Sequence, residues 1–462
     1  MTAAEATPEL DFPEQATHDD RAFLGHPKGL GYLGVVEGCE RFSYYSMQTL
    51  LTLYMVNYLL LPGRQESVIG LEWIKVHLFS GLEGQPLASE IFGLYTALVY
   101  LTPILGGLLA DLLLGRRAAL IAGALVMSLG HFLMAFEGAF LLALGSLVVG
   151  VGLFKGNIAS QVGELYGPTD IRRAMAFQIF YIFINVSVIA APLISGTLGE
   201  KVGWHWGFGC AGVVMVAGLL IYLRARPWLP AETPRSARST EPRAKFEPGD
   251  GLRLVAVLML VPIMGLALLT NQQIFNAYLV WADQQFQLTF LGTTLPTSWM
   301  ITLDATLSFS MLVAVAAFWA FIGKRTRREP DELGKMILGC AFITGGALCL
   351  YMAAATQGTG KIGLFWPVMF HLLNSIGFSH LLPVSLALFT RLAPRALNAS
   401  IVGIYYLAFF GANLAVGKIG TWFQTMPTTQ FWLFHAGTAM VGLVGFGAFK
   451  LLLAKRLMGE AK

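Results

Sequence analysis

The amino-acid sequence predicts an all-α membrane protein, with twelve transmembrane helices arranged as two six-helix bundles. Composition is the first observation behind this prediction, because 55% of the 462 residues are hydrophobic and only 13% are charged, whereas a soluble domain carries about 25% charged residues. The second is that apolar stretches of about 20 residues, enough to cross a bilayer, recur along the whole chain. The third is a polar stretch near the middle, which leaves six apolar stretches on either side.

The twelve predicted spans are separated by polar loops, and we number them in chain order. They begin near Tyr32, Ile91, Ala118, Phe140, Ala174, Trp204, Leu254, Trp299, Lys335, Leu364, Leu397 and Phe431. Residues 1–31 are predicted to form a cytoplasmic tail, and residues 32–224 the N-terminal bundle. Residues 225–251, rich in proline and arginine, are a predicted cytoplasmic linker, and residues 252–462 contain the C-terminal bundle and a short tail.

The distribution of lysine and arginine predicts the orientation of the chain in the membrane. Basic residues collect in both tails, in the central linker and in the even-numbered loops, with Arg116, Arg117, Arg172 and Arg173 as examples, while the odd-numbered loops hold very few. Cytoplasmic loops carry this excess of positive charge in membrane proteins. We therefore expect both termini on the cytoplasmic side of the cell inner (plasma) membrane.

Several kinds of function have no support in the sequence. The four cysteines lie in apolar stretches without a C-x-x-C or His/Cys cluster, so we expect neither a metal site nor a disulfide framework. No nucleophile–base pattern or nucleotide-binding loop indicates an enzyme, and the basic residues follow the loops rather than a nucleic-acid-binding motif. We expect a monomer in the lipid bilayer that is not an enzyme, has no cofactor and binds no nucleic acid.

A motif in the loop after the second span is typical of the major facilitator superfamily. The segment GLLADLLLGRR has the spacing G-x-x-x-D-x-x-x-G-R-R, formed by Gly107, Asp111, Gly115, Arg116 and Arg117. A small residue allows two helices to approach closely, and an aspartate near a helix end pairs with arginines or with a neighbouring helix N-terminus. We interpret the motif as a structural latch or gate contact rather than as a substrate site.

The first span contains a polar stripe in the segment EGCERFSYYSMQ. Its members recur every three or four residues and so share one helix face; they are Glu37, Glu40, Arg41, Tyr44, Tyr45 and Gln48. One charged residue at the centre of a membrane helix costs about 2.5–3.5 kcal/mol on insertion scales. The stripe is therefore expected to face protein or a water-filled cavity.

Two interpretations of these charges remain open. Glu37 and Arg41 are spaced as an i, i+4 pair, so the cluster is a structural ion pair in the simpler interpretation. The two glutamates exceed the one arginine, however, and Lys155 in the fourth span brings the total charge to zero. In the second interpretation, protonation of a glutamate frees a basic partner to bind an anion, which couples proton movement to a substrate.

Other polar side chains lie within predicted spans. Tyr181 and Asn185 are one turn apart in the fifth span and form an uncharged hydrogen-bonding face, and Tyr100 lies in the second span. Hydrogen bonding between helices is the commoner role of such residues in a membrane helix, and contact with a substrate is the alternative. The second half contributes Asn271, Gln272, Gln273, Asn276, Asp304, His371 and Asn374. Asp304 is the carboxylate expected to lie deepest in this half. We expect His371 to pack or to line a polar surface rather than to titrate.

From Leu24 onward the chain resembles the proton-coupled oligopeptide transporters (the POT/PTR family) of the major facilitator superfamily. The resemblance is carried by GHPKGL, EGCERFSYY, LFKGN, FYIFIN and PTSW in this order. It implies that Glu37 and Glu40 take part in proton coupling, and that Arg41 and Lys155 hold a peptide carboxylate. It also implies substrate contacts for three further side chains, which are Tyr45, Tyr100 and Asn185.

Four positions depart from the family pattern, and they bear on the substrate. Gln48 replaces a second arginine, Asn271 replaces an acid, and Phe378 replaces the glutamate that binds the peptide amine. Asp304 stands where the family has asparagine. One hypothesis is that Asp304 pairs with a substrate amine instead. The other is that Phe378 marks a pocket for substrates without a free amine, because a buried unmatched charge is costly.

The function that the sequence favours is proton-coupled import of di- or tripeptides, or of peptide-like molecules, by alternating access. An alternative is a transporter of the same fold for a modified peptide or another small organic anion without a free amine. A further alternative is a receptor that binds a substrate without transporting it, since Asn271 and Phe378 replace family acids.

Overall fold

The computed structural model describes residues 20–167, 169–230, 246–326, 329–397 and 400–454, and within them twelve helices have at least 18 residues. In chain order they are α1 (Lys28–Tyr54), α2 (Gly84–Leu109), α3 (Arg116–Leu133), α4 (Phe140–Glu164), α5 (Arg172–Ala191), α6 (Trp204–Ala225), α7 (Asp250–Gln272), α8 (Trp299–Thr326), α9 (Glu332–Ala355), α10 (Phe365–Leu392), α11 (Ile401–Gly420) and α12 (Thr428–Phe449). The predicted all-helical fold is confirmed. Residues 1–19 of the predicted N-terminal tail, 231–245 of the predicted linker and 455–462 at the C-terminus lie outside the described residues.

Eleven of these helices, together with their short extensions, are long and apolar enough to cross a membrane. The exception is α1, which is 27 residues long but has polar and charged side chains along its middle. The largest difference from a predicted start is at α2, which begins at Gly84 rather than near Ile91. Gln85 and Ser89 extend this helix because both are buried and hydrogen-bonded, with Gln85 Nε2 3.1 Å from the backbone oxygen of Gly420.

Helices α1–α6 pack mainly against one another, as do helices α7–α12, and the pairs α2–α11 and α5–α8 join the two sets. Close backbone contact is possible between α2 and α11 because Gly93 meets Gly417, where a Cβ on Gly93 would lie 2.4 Å from the Gly417 Cα. The two sets of helices are therefore held together along these two pairs, and a space between the sets is bounded by helices from both.

Three elements in the loops and in α7 were not predicted. A short helix, Leu71–His77, follows α1, and a hairpin of Thr289–Phe290 and Thr293–Thr294 precedes α8. Helix α7 is interrupted at Gln273–Phe275 and continues as the helix Ala277–Gln285. Asn276 at this break accepts a hydrogen bond from Ser89 Oγ (2.9 Å), so the interruption is held by a contact between the two halves.

Hydrogen bonds also join the halves at the end of the molecule where α1 finishes, which we call the closed end. Asn57 Nδ2 donates to Asp283 Oδ2 over 2.9 Å. The Glu200 carboxylate accepts from the backbone N–H groups of Thr297 (2.7 Å) and Ser298 (2.8 Å), at the start of α8. A carboxylate is stabilised there because the first N–H groups of a helix have no partner within the helix.

The glycine that brings α2 against α4 is Gly106, not the motif residue Gly107. A Cβ on Gly106 would lie 2.1 Å from the backbone oxygen of Gly152, whereas a Cβ on Gly107 would meet nothing within 4 Å. The expected role of Gly107 in close helix packing is therefore wrong, because a side chain at this position would extend into open space.

We predict that Gly106→Ala destabilises the protein and that Gly107→Ala does not. The added methyl group at position 106 must displace backbone, and such overpacking costs about 1–3 kcal/mol. Thermal unfolding of both variants in detergent measures the difference, with Gly107→Ala as the matched control. Equal melting temperatures for the two variants would contradict this prediction.

Candidate functional site

A cavity of about 520 Å³ lies between the two sets of helices and is lined by both of them. The nine residues predicted to contact a substrate all line it: Arg41, Tyr45, Gln48, Tyr100, Lys155, Asn185, Asn271, Asp304 and Phe378. They come from α1, α2, α4, α5, α7, α8 and α10. Four of the six residues in the polar stripe of α1 line this cavity, namely Glu37, Arg41, Tyr45 and Gln48, whereas Glu40 and Tyr44 are buried and do not line it.

The charges of α1 form one buried cluster. Arg41 Nε donates to Glu37 Oε1 over 2.7 Å and lies 2.9 Å from Glu40 Oε2. Glu37 and Arg41 line the cavity, whereas Glu40 is fully buried behind them. Within the described part of the chain, Glu37 Oε2 and both oxygens of Glu40 accept no hydrogen bond. The predicted i, i+4 pair is present, but the carboxylates are not fully satisfied by it.

Lys155 completes the charge balance without touching a glutamate. No carboxylate of the described residues lies within 4.0 Å of its Nζ. The ammonium instead lies above the Tyr100 ring, 4.9 Å from the centroid, and 5.7 Å from the centroids of Tyr44 and Tyr406. Aromatic faces stabilise a cation in such positions. Both glutamates are in contact with Arg41 and neither with Lys155, so the Lys155 ammonium is left facing the cavity.

The uncharged polar residues Asn185 and Asn271 contact residues that are close to them in sequence. Asn185 Nδ2 donates to the backbone oxygen of Tyr181 in its own helix (2.8 Å), so hydrogen bonding to another helix is not what holds this amide. Asn271 Oδ1 lies 3.4 Å from Gln272 Nε2, its neighbour in sequence. Both side chains face the cavity, and neither brings a charge to it.

Asp304 is paired within the protein. Its Oδ1 accepts a hydrogen bond from His371 Nδ1 (2.9 Å), and His371 Nε2 accepts one from the Tyr278 hydroxyl (2.7 Å). Asp304 lines the cavity, while His371 is fully buried behind it and does not line the cavity. The expectation that His371 packs or lines a polar surface is therefore incomplete, because the ring also bridges a carboxylate and a phenol.

Much of the remaining wall is aromatic and was not predicted. Beside Phe378 it includes Phe180, Tyr405, Tyr406 and Phe409. The Tyr100 ring stacks on Phe409 with the centroids 4.8 Å apart. Nothing in the sequence separates these rings from ordinary packing residues, because aromatic side chains occur throughout the apolar spans.

The loop motif ties the end of α2 to other helices. Arg116 Nε lies 3.5 Å from Asp111 Oδ1, and the same guanidinium contacts Glu164 at the end of α4. Arg117 donates to the backbone oxygen of Leu229 over 3.2 Å. Gly115 has a φ of +83°, a left-handed conformation that favours glycine. The predicted pairing of the motif aspartate with an arginine is thus present.

The GHPKGL segment anchors the start of α1 at the same end of the molecule as the loop motif. His26 Nδ1 is hydrogen-bonded to the Tyr166 hydroxyl (2.8 Å), and Lys28 lies over the Trp228 ring, 4.2 Å from its centroid. The pKa of Asp20 is lower than its usual value, chiefly because its carboxylate accepts the Lys28 N–H over 2.7 Å. These contacts give the segment a structural role.

Comparison with known proteins identifies the family. A family model described as the POT family matches residues 117–246. The peptide transporter YePEPT of Yersinia enterocolitica subsp. palearctica serotype O:3 (strain YE-P4) is 30% identical, over 87% of this chain and 89% of that protein. The chain belongs to the POT family. A di-/tripeptide transporter of Lactococcus lactis subsp. cremoris is 26% identical over 96% of this chain and 99% of its own length.

The fold is that of solved POT family transporters. The crystal structure of a peptide transporter POT in complex with sulfate superposes with a TM-score of 0.80 at 26% identity, covering 95% of this chain and 98% of that one. A mutant form of a peptide transporter POT, also solved in complex with sulfate, gives a TM-score of 0.81 at 27% identity, with the same coverage. This POT family member is therefore a multi-pass membrane transporter with the major facilitator fold.

Proposed function

We propose that this POT family member is a symporter that imports di- or tripeptides, or peptide-like molecules, together with protons. The observation that carries the proposal is the pair of basic side chains, Arg41 and Lys155, that face one cavity beside two buried glutamates. The basic groups match a peptide carboxylate, and the glutamates supply a place for a proton. The transporter acts as a monomer in the inner membrane, with both termini in the cytoplasm.

Proton coupling in this scheme depends on competition for Arg41. While Glu37 and Glu40 are ionised, both are in contact with the guanidinium. Carboxylate oxygens that are buried without hydrogen bonds are costly, and one remedy is to take up a proton. A proton bound to either glutamate weakens its hold on Arg41, which then joins Lys155 in binding the substrate carboxylate. Loss of the proton on the cytoplasmic side restores the internal pair and releases the substrate.

Transport also needs the two bundles, residues 32–224 and 252–462, to rock about the cavity. The contacts of the closed end, Asn57 with Asp283 and Glu200 with the start of α8, break in the outward-facing state. The Asp111–Arg116 contact near the opposite end acts as a latch on the other face. With basic loops in the cytoplasm, the closed end faces outward.

A pH-sensitive dye inside proteoliposomes tests the proposed function. Addition of a dipeptide outside is expected to acidify the interior, because each peptide enters with at least one proton. Dipeptide binding without acidification or accumulation would identify a receptor instead. Absence of both binding and uptake, in folded protein, would show that peptides are not the substrate.

Substrates without a free amine are a second candidate class, and Phe378 favours them. This ring lies on the cavity wall where the family resemblance implies an amine-binding carboxylate, and Leu382 and Leu386 extend the apolar surface beside it. Asp304 is the carboxylate of the C-terminal half that lines the described cavity, and it is already hydrogen-bonded to His371. The choice between the two classes therefore depends on whether Asp304 also contacts an ammonium group.

We predict that Asp304→Asn reduces the preference for a free-amine dipeptide over its N-acetylated form by about 10- to 100-fold, since a hydrogen bond to a charged group contributes about 1.5–3 kcal/mol. Competition of the two peptides for uptake measures the ratio. The N-acetylated peptide is the internal control, because it has no ammonium to lose. An unchanged ratio would show that Asp304 does not contact the ammonium group of the substrate.

A further inference from the structure

Three side chains from three helices form a hydrogen-bonded chain in the C-terminal half. Asp304 comes from α8, His371 from α10 and Tyr278 from the helix Ala277–Gln285. The Asp304 Oδ1–His371 Nδ1 distance is 2.9 Å, and the His371 Nε2–Tyr278 hydroxyl distance is 2.7 Å. His371 and Tyr278 are fully buried, while 11% of the Asp304 side chain is exposed. The chain thus begins at the cavity and ends in the protein interior.

The hydrogen bonds assign the charge state of this chain when no extra proton is bound. Nδ1–H of a neutral His371 donates to the Asp304 carboxylate, and Nε2 accepts from the Tyr278 hydroxyl. All three groups are then satisfied, and the set carries one negative charge. One added proton, on the imidazole or on the carboxyl group, makes the pair neutral overall. Histidine is suited to this exchange because its charge changes near neutral pH.

Apart from Tyr278, no ionisable side chain in the described residues is hydrogen-bonded to or ion-paired with Asp304 or His371. Helix α9 presents Gly346 to the backbone beside His371, and α7 presents the uncharged Asn271 to the cavity. Helix α12 meets Tyr278 through Trp432, with the ring centroids 6.3 Å apart, and the nearby His435 is hydrogen-bonded through Nδ1 to the backbone of its own helix. Proton binding at the pair is therefore governed by Asp304 and His371 themselves, and by the basic groups across the cavity.

The charges around the cavity leave room for one more proton. Three carboxylates and two basic groups give a net charge of −1; they are Glu37, Glu40, Asp304, Arg41 and Lys155. A zwitterionic peptide does not change this total. Because Glu37, Glu40, Arg41 and Lys155 balance one another, the excess charge is that of Asp304. An uncompensated charge is costly at the centre of a membrane, so a proton bound at Asp304 or its partner His371 is favoured.

We propose that Asp304 and His371, oriented by Tyr278, form a second proton-binding site of the transporter. The site lies in the C-terminal bundle, where Asn271 and Phe378 replace the acids expected from the family resemblance. A proton enters from the cavity at the Asp304 carboxylate, which lines it, is shared with the His371 ring and leaves by the same route after the bundles rock. One more proton thus moves with each substrate than Glu37 and Glu40 carry.

The proposal rests on the proposed symport, and the proton-to-peptide ratio tests it. The number of protons per peptide is calculated from the peptide gradient at which net flux stops when a known pH gradient is imposed across proteoliposomes. The double variant Asp304→Asn/His371→Asn keeps hydrogen-bonding groups at both positions but has no ionisable group at either. Its ratio is expected to be one proton lower than that of the native protein. His435→Asn removes another fully buried histidine of the same bundle and is expected to leave the ratio unchanged.

The failure of symport and the failure of this site give different results. If the native protein does not couple peptide to protons at all, the proposed function is wrong. If the native protein is coupled and the double variant has the same ratio, the second site is wrong.

A double variant that folds but does not transport is tested by acid titration in detergent. Native protein is expected to take up one more proton than the variant as the pH is lowered. Equal uptake would overturn the proposal.

Discussion

Replacement of Lys155 by alanine is expected to abolish gradient-driven uptake. The ammonium faces the cavity above the Tyr100 ring and contacts no carboxylate among the described residues, so it is available to an incoming anion. Removing one partner of a buried charge-assisted hydrogen bond costs about 3 kcal/mol or more, which is roughly a 100-fold loss of affinity. Uptake of a labelled dipeptide at a concentration near the native half-saturation point measures the effect.

Lys418→Ala is the matched control for this lysine. Lys418 lies on α11 with 67% of its side chain exposed, and its contact with Glu90 is 3.4 Å long. Exposed ion pairs contribute little, so this variant is expected to transport as the native protein does. Normal uptake by Lys155→Ala would contradict the assignment of Lys155 to the substrate carboxylate.

The second large effect is expected for Glu37→Gln/Glu40→Gln, which removes both carboxylates from Arg41. The guanidinium is then free in both orientations of the transporter, so peptide binding no longer depends on a proton at this cluster. We expect accumulation driven by a pH gradient to fall to the level that the proposed Asp304–His371 site alone supports, while exchange of labelled for unlabelled peptide across the membrane continues. Glutamine is close in size to glutamate, so the packing of the fully buried position 40 is largely kept.

Two assays on the same proteoliposomes separate coupling from folding. Glu90→Gln, outside the cavity, is the control and is expected to retain both accumulation and exchange. Loss of both activities in the double variant would support the simpler interpretation, in which Glu37, Glu40 and Arg41 form a structural ion pair. Undiminished accumulation would show that no proton is coupled at Glu37 and Glu40.

The helices and the polar face of α1 could be predicted because each is a periodic property of one segment. Apolar length predicted the twelve helices, and the spacing of Glu37, Arg41 and Tyr45 placed them on one face. Charge balance and polar position singled out Lys155, Tyr100 and Asn185, the family resemblance implied their substrate roles, and the structure brings them to the same cavity.

Contacts that depend on several helices could not be predicted in this way. Asp304 and His371 were both noticed, but their hydrogen bond requires α8 and α10 to be placed side by side. Tyr278 gave no signal, since a tyrosine in an apolar segment is commonly a packing residue. The assignment of close packing to Gly107 rather than Gly106 is wrong because a one-residue shift changes the helix face by about 100°.

The central claim is that a proton gradient drives peptides into the cavity. The most direct test is uptake of a labelled dipeptide into proteoliposomes with an imposed inside-alkaline gradient, repeated after a protonophore and repeated with the N-acetylated peptide. We predict accumulation of the free-amine dipeptide above its external concentration, and its collapse when the protonophore is added. Equal uptake with and without the gradient, by protein shown to be folded, would contradict proton-coupled symport.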